Sequence, residues 1–222
     1  MSDDLKDLTK TNSGSVLTSE YPPFAAKYGD SPRDRLMAAT CDLICRDGIT
    51  ATGVDKIVEA AGTAKTTLYK AFGSKDALVE AVLDVEGKAW RDWFLGELAS
   101  HRGRPEVKLA SMFKTLETWF KSDRFYGCPF INAVGESRKD NDRMREIAIR
   151  HKKVVLAAIE SLAREAGAPN PSRLTHELAL LMDGAIVVAM ISKDPGSALA
   201  ARRAAKTLIA REVVSKGALS EA

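Results

Sequence analysis

Apolar residues recur along this chain at the three- and four-residue spacing of helices, and no strand-like alternation competes with them. Regular structure begins at Ser31, a good helix cap, followed by Pro32 as a good first helical residue. Leu36, Ala39, Thr40, Leu43 and Ile44 then mark one face, and Gly48 stops the helix. Thr52 is expected to cap a second helix carrying Val54, Ile57, Val58 and Ala61, which Gly62 ends. A third, short helix runs from about Ala64 to Phe72 and ends at Gly73. Ser74 caps a fourth helix with Leu78, Val79, Val82 and Leu83 inward. The same period predicts helices over 75–99, 105–121, 129–138, 141–167, 171–191 and 196–215. Gly103-Arg104-Pro105, Gly127-Cys128-Pro129, Gly167-Ala168-Pro169 and Asp194-Pro195-Gly196 separate most of them. The fold class is therefore all-α: a small three-helix unit over 31–76 joined to a larger helical domain over 77–222. Residues 1–30 have no helical period and read as a disordered tail. Its Lys6, Lys10 and Lys27 are outnumbered by Asp3, Asp4, Asp7, Glu20 and Asp30, which argues against a basic arm on nucleic acid.

Composition adds little. Apolar residues make up 45% of the 222 and charged residues 28%, enough for a sizeable core. The net charge of +3 points to no partner, so a nucleic-acid site has to come from local clustering. Cys41, Cys45 and Cys128 make no disulfide framework; Cys41 and Cys45 share a helix face and are expected to pack in the core. His101, His151 and His176 are isolated, with no metal-ligand spacing, and are expected at the surface or at helix ends. No metal or cofactor is expected. The N-terminus has no apolar run, and the stretch from Leu178 to Ile191 is interrupted by Asp183 and short for a bilayer. A soluble cytoplasmic protein with no membrane partner is the expectation.

The segment from Thr52 to Lys75 carries the chemistry. Two short helices meet at Gly62-Thr63, where glycine turns the chain sharply without a Cβ penalty. This is the helix-turn-helix pattern, in which the second helix enters the DNA major groove. Leu68 and Phe72, four apart, point inward and leave Lys65, Thr66, Thr67, Tyr69 and Lys70 mostly outward. Lysine and threonine reach base edges or phosphates, and a tyrosine hydroxyl suits phosphate. Lys75 adds a cation beside a helix N-terminus that itself attracts anions. Consecutive threonines are poor helix formers on an exposed face, which favours a contact role over a solvated one.

The run Thr52-Gly53-Val54-Asp55-Lys56-Ile57-Val58-Glu59-Ala60-Ala61-Gly62, continuing through Leu68-Tyr69, Phe72 and Ser74-Lys75-Asp76-Ala77-Leu78, resembles the TetR/AcrR repressor signature over about residues 31–83. The resemblance implies that Thr67, Tyr69 and Lys75 hold phosphates, that Lys65, Thr66 and Lys70 lie nearest the bases, and that Thr52 touches the backbone. Val58 and Thr63 depart from the usual alanine and valine, which bears on the docking angle. The resemblance further implies that 77–222 binds an effector and forms a homodimer.

The rest of the sequence suits that role. Trp90, Trp93, Phe94, Met112, Phe113, Leu116, Trp119, Phe120, Phe130 and Ile131 are candidates to line an apolar pocket, with Cys128, Asn132 or Glu136 as polar handles. The competing reading of any single aromatic is a filled core. Leu174, Leu178, Leu181, Met182, Ala185, Val188 and Ala189, followed by Leu199, Ala205, Leu208, Ile209 and Val213, give two apolar helices suited to a four-helix dimer bundle. Asp183 within them faces a ligand, a cation, the dimer axis or solvent. The expected function is operator binding by a repressor released by a small apolar or aromatic effector. The alternatives are an activator, or a helical ligand-binding or scaffolding protein without functional DNA binding. An enzyme built on Asp183, His176 or Cys128 lacks any recognisable catalytic arrangement.

Overall fold

The computed structural model describes residues 27–137 and 142–214. Among them are nine helices and no strand: α1 (Pro32–Asp47), α2 (Val54–Ala60), α3 (Lys65–Phe72), α4 (Lys75–Ser100), α5 (Pro105–Phe120), α6 (Pro129–Glu136), α7 (Asp142–Glu165), α8 (Pro171–Ser192) and α9 (Gly196–Val214). Most boundaries follow local chemistry. Ser31 Oγ accepts from the Asp34 amide with Pro32 in the first turn, and Gly48 ends α1 at φ 86°. Ser74 and Asn170 cap α4 and α8 in the same way.

Two expectations near the start change. Gly53, not Thr52, occupies the cap position of α2 and makes no side-chain cap. Thr52 is fully buried, and its hydroxyl donates to the Gly48 carbonyl at 2.7 Å, closing the α1–α2 loop on itself. Most of the expected tail, residues 1–26, lies outside the described residues. Tyr28, in the described end of the expected tail, is half-buried against the core, and its hydroxyl donates to Glu86 Oε1 of α4 at 2.7 Å.

Leu36, Ile57, Leu68 and Leu78, each fully buried, form the small core that α1, α2, α3 and the start of α4 share. Each such leucine or isoleucine stabilises the unit by about 1.5–3 kcal/mol through burial. Gly62 adopts φ 58°, and the Thr63 amide reaches back to the Val58 carbonyl at 2.9 Å, which sets the turn between α2 and α3. Arg35 of α1 donates to the Ala61 carbonyl at the end of α2, and Arg33 lies over the Phe72 ring at the end of α3. Helix α4 then runs out of this unit, burying Val82, Leu83, Trp90, Phe94 and Leu98 in the larger domain.

In that domain α5 is central, packed against α4, α7, α8 and α9. Leu109, Met112, Phe113 and Leu116 on it are fully buried. Helices α8 and α9 approach through small residues: Ala185, Ala189, Ala198, Ala201 and Ala205 are buried. Arg173 Nη2 contacts both carboxylate oxygens of Glu212 at 2.7 Å across them. The opposite side of α8 is apolar and uncovered, with Leu180 75% and Ile191 73% exposed, and Val188 and Leu199 of α9 beside them. At 22 residues α8 is long and apolar enough to cross a membrane by length and composition, so the shorter Leu178–Ile191 stretch is not a sufficient argument against it. Its other face is built into the domain: Leu174, Leu178 and Met182 are buried, and Asp183 pairs with Lys152 of α7.

Candidate functional site

On α3 the outward face is as the spacing predicts. Lys65, Thr66, Tyr69 and Lys70 are exposed, Thr67 is partly so, and Leu68 is fully buried beneath them. The half-buried Phe72 closes the inner face. Lys65 Nζ is 2.5 Å from Asp55 Oδ1 of α2, and that carboxylate holds the ammonium in its charged form. Lys70 has no acidic partner among the described residues.

Two residues matched to DNA-holding positions are otherwise engaged. Thr52 is buried with its hydroxyl turned to Gly48, so it presents no donor at the surface. Lys75 Nζ donates to the Ile49 and Thr52 carbonyls, each at 2.8 Å, tying the start of α4 to the α1–α2 loop. Sequence reasoning had no signal for the Lys75 contacts, because they are with main-chain atoms of a loop more than twenty residues away; the Thr52 bond is local and turns on the conformation of its own loop.

The second feature is a cavity of about 100 Å³ between α1 and the helices behind it. Its wall combines α1 (Cys41, Ile44, Cys45), α4 (Leu83, Glu86, Gly87, Trp90), Trp119 of α5, the loop and helix from Arg124 to Glu136, α7 (His151, Lys152, Val155), and Met182 and Ile186 of α8. Of the expected pocket residues, Trp90, Trp119, Cys128, Phe130 and Asn132 line it. Phe94, Met112, Phe113 and Leu116 do not; they are fully buried and fill the core around α5. Trp93, Phe120, Ile131 and Asp183 are likewise outside its wall. Trp93 and Ile131 pack against the core edge, Phe120 meets Trp119 and Phe125, and Asp183 is occupied by Lys152.

His151 corrects the expectation of a surface histidine. It is buried, with its ring stacked on Phe130 at 3.9 Å and tilted against Trp90 at 5.6 Å. Its Nδ1 lies 2.9 Å from Arg91 Nη1 and accepts from that guanidinium, which leaves the proton on Nε2. Burial, reinforced by Arg91 and Lys152, lowers its pKa to about 3, so it is neutral in the fold. The Trp90 indole nitrogen is a buried donor with no acceptor among the described residues. On α1, the hydrogen bond between Cys41 and Cys45 moves the two thiols apart: Cys41, also desolvated, is pushed up, and Cys45 is drawn down with help from Arg124. Burial pushes the Cys128 thiol up.

The same segment that lines the cavity also grips the small domain. Glu136 Oε2 accepts from the Thr50 amide at 2.9 Å, and Arg124 contacts the Asp42 carboxylate of α1. Gly87 is a point of close approach, because a Cβ there meets Phe130 Cζ at 2.5 Å.

Comparison with known proteins agrees with this layout. Residues 36–82 match the family model "Bacterial regulatory proteins, tetR family". The chain is 27% identical over 170 residues to an HTH-type transcriptional regulator encoded in the lacX 3′ region of Lactococcus lactis subsp. lactis, a match spanning 73% of this chain and 85% of that protein. A solved structure from Streptomyces avermitilis, described as a TetR-type transcriptional regulator, is 29% identical and superposes with a TM-score of 0.72, covering 82% of this chain and 98% of that one. A TetR-family regulator from Streptomyces coelicolor, 22% identical, shares the fold at a TM-score of 0.75 over 82% of this chain and 96% of its own. The helix-turn-helix over 36–82 is thus of the tetR type, and the all-helical body behind it shares its fold with solved TetR-family transcriptional regulators.

Proposed function

We propose that this regulator is a homodimeric repressor, released from its operator when a small ligand enters the cavity between its two domains. The observation that carries this reading is the make-up of the cavity wall. It joins α1 of the DNA-binding unit to α4, α6 and α7, and Arg124 and Glu136 from the same wall hold Asp42 and the Thr50 amide. A ligand that displaces the 124–136 segment therefore acts on the orientation of the helix-turn-helix through two direct ties. Coupling of about 1–3 kcal/mol, several-fold to a hundredfold in operator affinity, is the usual scale.

In this reading domain 31–76 binds DNA and 77–222 binds ligand and dimerises. Lys65, Thr66 and Lys70 face the bases, and Thr67 and Tyr69 take phosphates. Thr52 and Lys75 hold the unit together and leave the contact set. The bare stripe of Leu180, Val188 and Ile191 on α8, with Leu199 on α9, supports a four-helix dimer interface. Two copies of α3 then sit about 34–36 Å apart, or a multiple of it, and meet successive major grooves.

The decisive experiment is a gel shift of the chain on its own upstream DNA, with candidate small aromatic compounds titrated in. A compound that binds tightly in calorimetry and leaves operator affinity unchanged removes the release mechanism. Ile191→Glu should turn the dimer into a monomer in sedimentation and abolish the shift. A folded monomer that retains full operator affinity removes the dimer from the reading. A helical binding protein without DNA activity is less favoured, because Thr66 and Lys70 stand uncovered on α3.

A further inference from the structure

His151 is a hydrogen-bond donor held in place without an acceptor. It lines the cavity from α7 and is 6% exposed. Its ring is fixed by three neighbours: Arg91 Nη1 donates to Nδ1 at 2.9 Å, Phe130 stacks on the ring at 3.9 Å, and Trp90 lies tilted against it at 5.6 Å. The proton therefore sits on Nε2, which meets no acceptor among the described residues. The Trp90 indole nitrogen is sealed off from any probe, whereas His151 Nε2 keeps accessible surface, and the cavity is the space that His151 borders. A buried N–H left unpaired is costly, and an acceptor brought in by a ligand recovers that cost. Because the ring is already immobilised, little ordering is needed to form the bond.

The charges on the wall decide which kind of acceptor fits. Glu86 and Glu136 balance Arg124 and Lys152, and all four are already engaged. Glu86 accepts from Tyr28, Glu136 accepts from the Thr50 amide, Arg124 contacts Asp42, and Lys152 contacts Asp183. Burial beside Arg91 and Lys152 keeps His151 itself neutral. An entering carboxylate loses its hydration and meets two acids, while both cations keep their own partners. A neutral carbonyl oxygen carries no such penalty. Trp90, Trp119 and Phe130 supply flat apolar surface around the donor. The space of about 100 Å³ is on the scale of a cavity of about 150 Å³ that admits benzene, so the occupant has a single ring. We propose that the cavity binds a small, neutral, one-ring aromatic carbonyl compound whose oxygen accepts from His151 Nε2. This names the ligand class for the release reading and rests on that reading for its regulatory meaning.

The test uses the full chain labelled with ¹⁵N-histidine. Acetophenone is the probe, ethylbenzene is a ring of similar shape without an acceptor, and benzoate is the anionic counterpart. In the wild-type protein, saturating acetophenone should move the His151 Nε2 resonance and leave Nδ1, still held by Arg91, nearly in place. Ethylbenzene should move Nε2 far less. In calorimetry acetophenone should bind one to one, and benzoate about tenfold more weakly or worse. His151→Phe keeps a flat ring and removes the donor, so the preference for acetophenone over ethylbenzene should fall about three- to tenfold. Absence of acetophenone binding, an unmoved Nε2 resonance at saturation, benzoate binding as tightly as acetophenone, or an unchanged preference in folded His151→Phe overturns the proposal. If that variant does not fold, the wild-type resonance and the benzoate comparison decide. Operator affinity is measured separately. Binding as described with the operator complex intact supports the ligand class and sinks the release reading. Failure of acetophenone to bind, with release still caused by another compound, sinks the ligand class and spares release.

Discussion

Replacing Lys75 with methionine separates a residue that holds the fold from one that holds DNA. The substitution keeps most of the apolar stem and removes the ammonium. In the structure that ammonium donates to Ile49 and Thr52 carbonyls at 2.8 Å each. A hydrogen bond to a charged group contributes about 1.5–3 kcal/mol when desolvated. Lys75 is only partly buried, and water takes over part of both contacts, so about 1–3 kcal/mol for the pair is the expected loss. With a urea slope of about 2–3 kcal/mol per molar for a chain of this size, the unfolding midpoint should fall by about 0.3–1.5 M. Operator affinity should drop by a similar factor at every salt concentration, because a loosened α1–α2 loop misplaces α3 without removing a phosphate contact. Paired measurements of the urea midpoint and of the operator dissociation constant against salt decide it. An unchanged midpoint with a salt slope flatter by about one unit returns Lys75 to the phosphate contacts and refutes the structural assignment.

Lys70→Ala should cost about 1–3 kcal/mol on the preferred operator and relax the choice of base there, read by binding to a library of operator variants. Asp55→Asn frees Lys65 from its carboxylate and should tighten binding to unrelated DNA at low salt; equal binding removes that pair as a brake. Gly87→Ala pushes a methyl group into the Phe130 ring, which already stacks on His151, and should lower stability by about 1–3 kcal/mol in urea unfolding. His151 has a folded pKa of about 3 against an ordinary 6.5, so between those values the unfolded chain binds the extra proton. The stability it contributes is complete above about pH 6.5 and is lost as the pH falls toward 3. His151→Gln should flatten that part of the unfolding free energy plotted against pH, and an unaltered slope there assigns the acid lability to other groups.

The recognition unit was legible in the sequence because its determinants are local. Ser31, Gly48, Gly62, Gly73 and Ser74 fix helix ends within a few residues of themselves, and a buried Leu68 on an eight-residue helix leaves only one face for Thr66 and Lys70. The aromatic-rich helices were also visible, but spacing alone does not distinguish a core from a cavity wall. Met112, Phe113 and Leu116 are surrounded by four other helices, while Trp90 and Phe130 border open space. Tertiary packing alone decided that Cys41, Cys45 and Cys128 line the same cavity, that an unremarkable His151 becomes a neutral buried partner of Arg91, and that Lys75 turns toward a loop. Each of these depends on groups distant in sequence brought together, where burial and a neighbouring charge override the chemistry the isolated side chain displays.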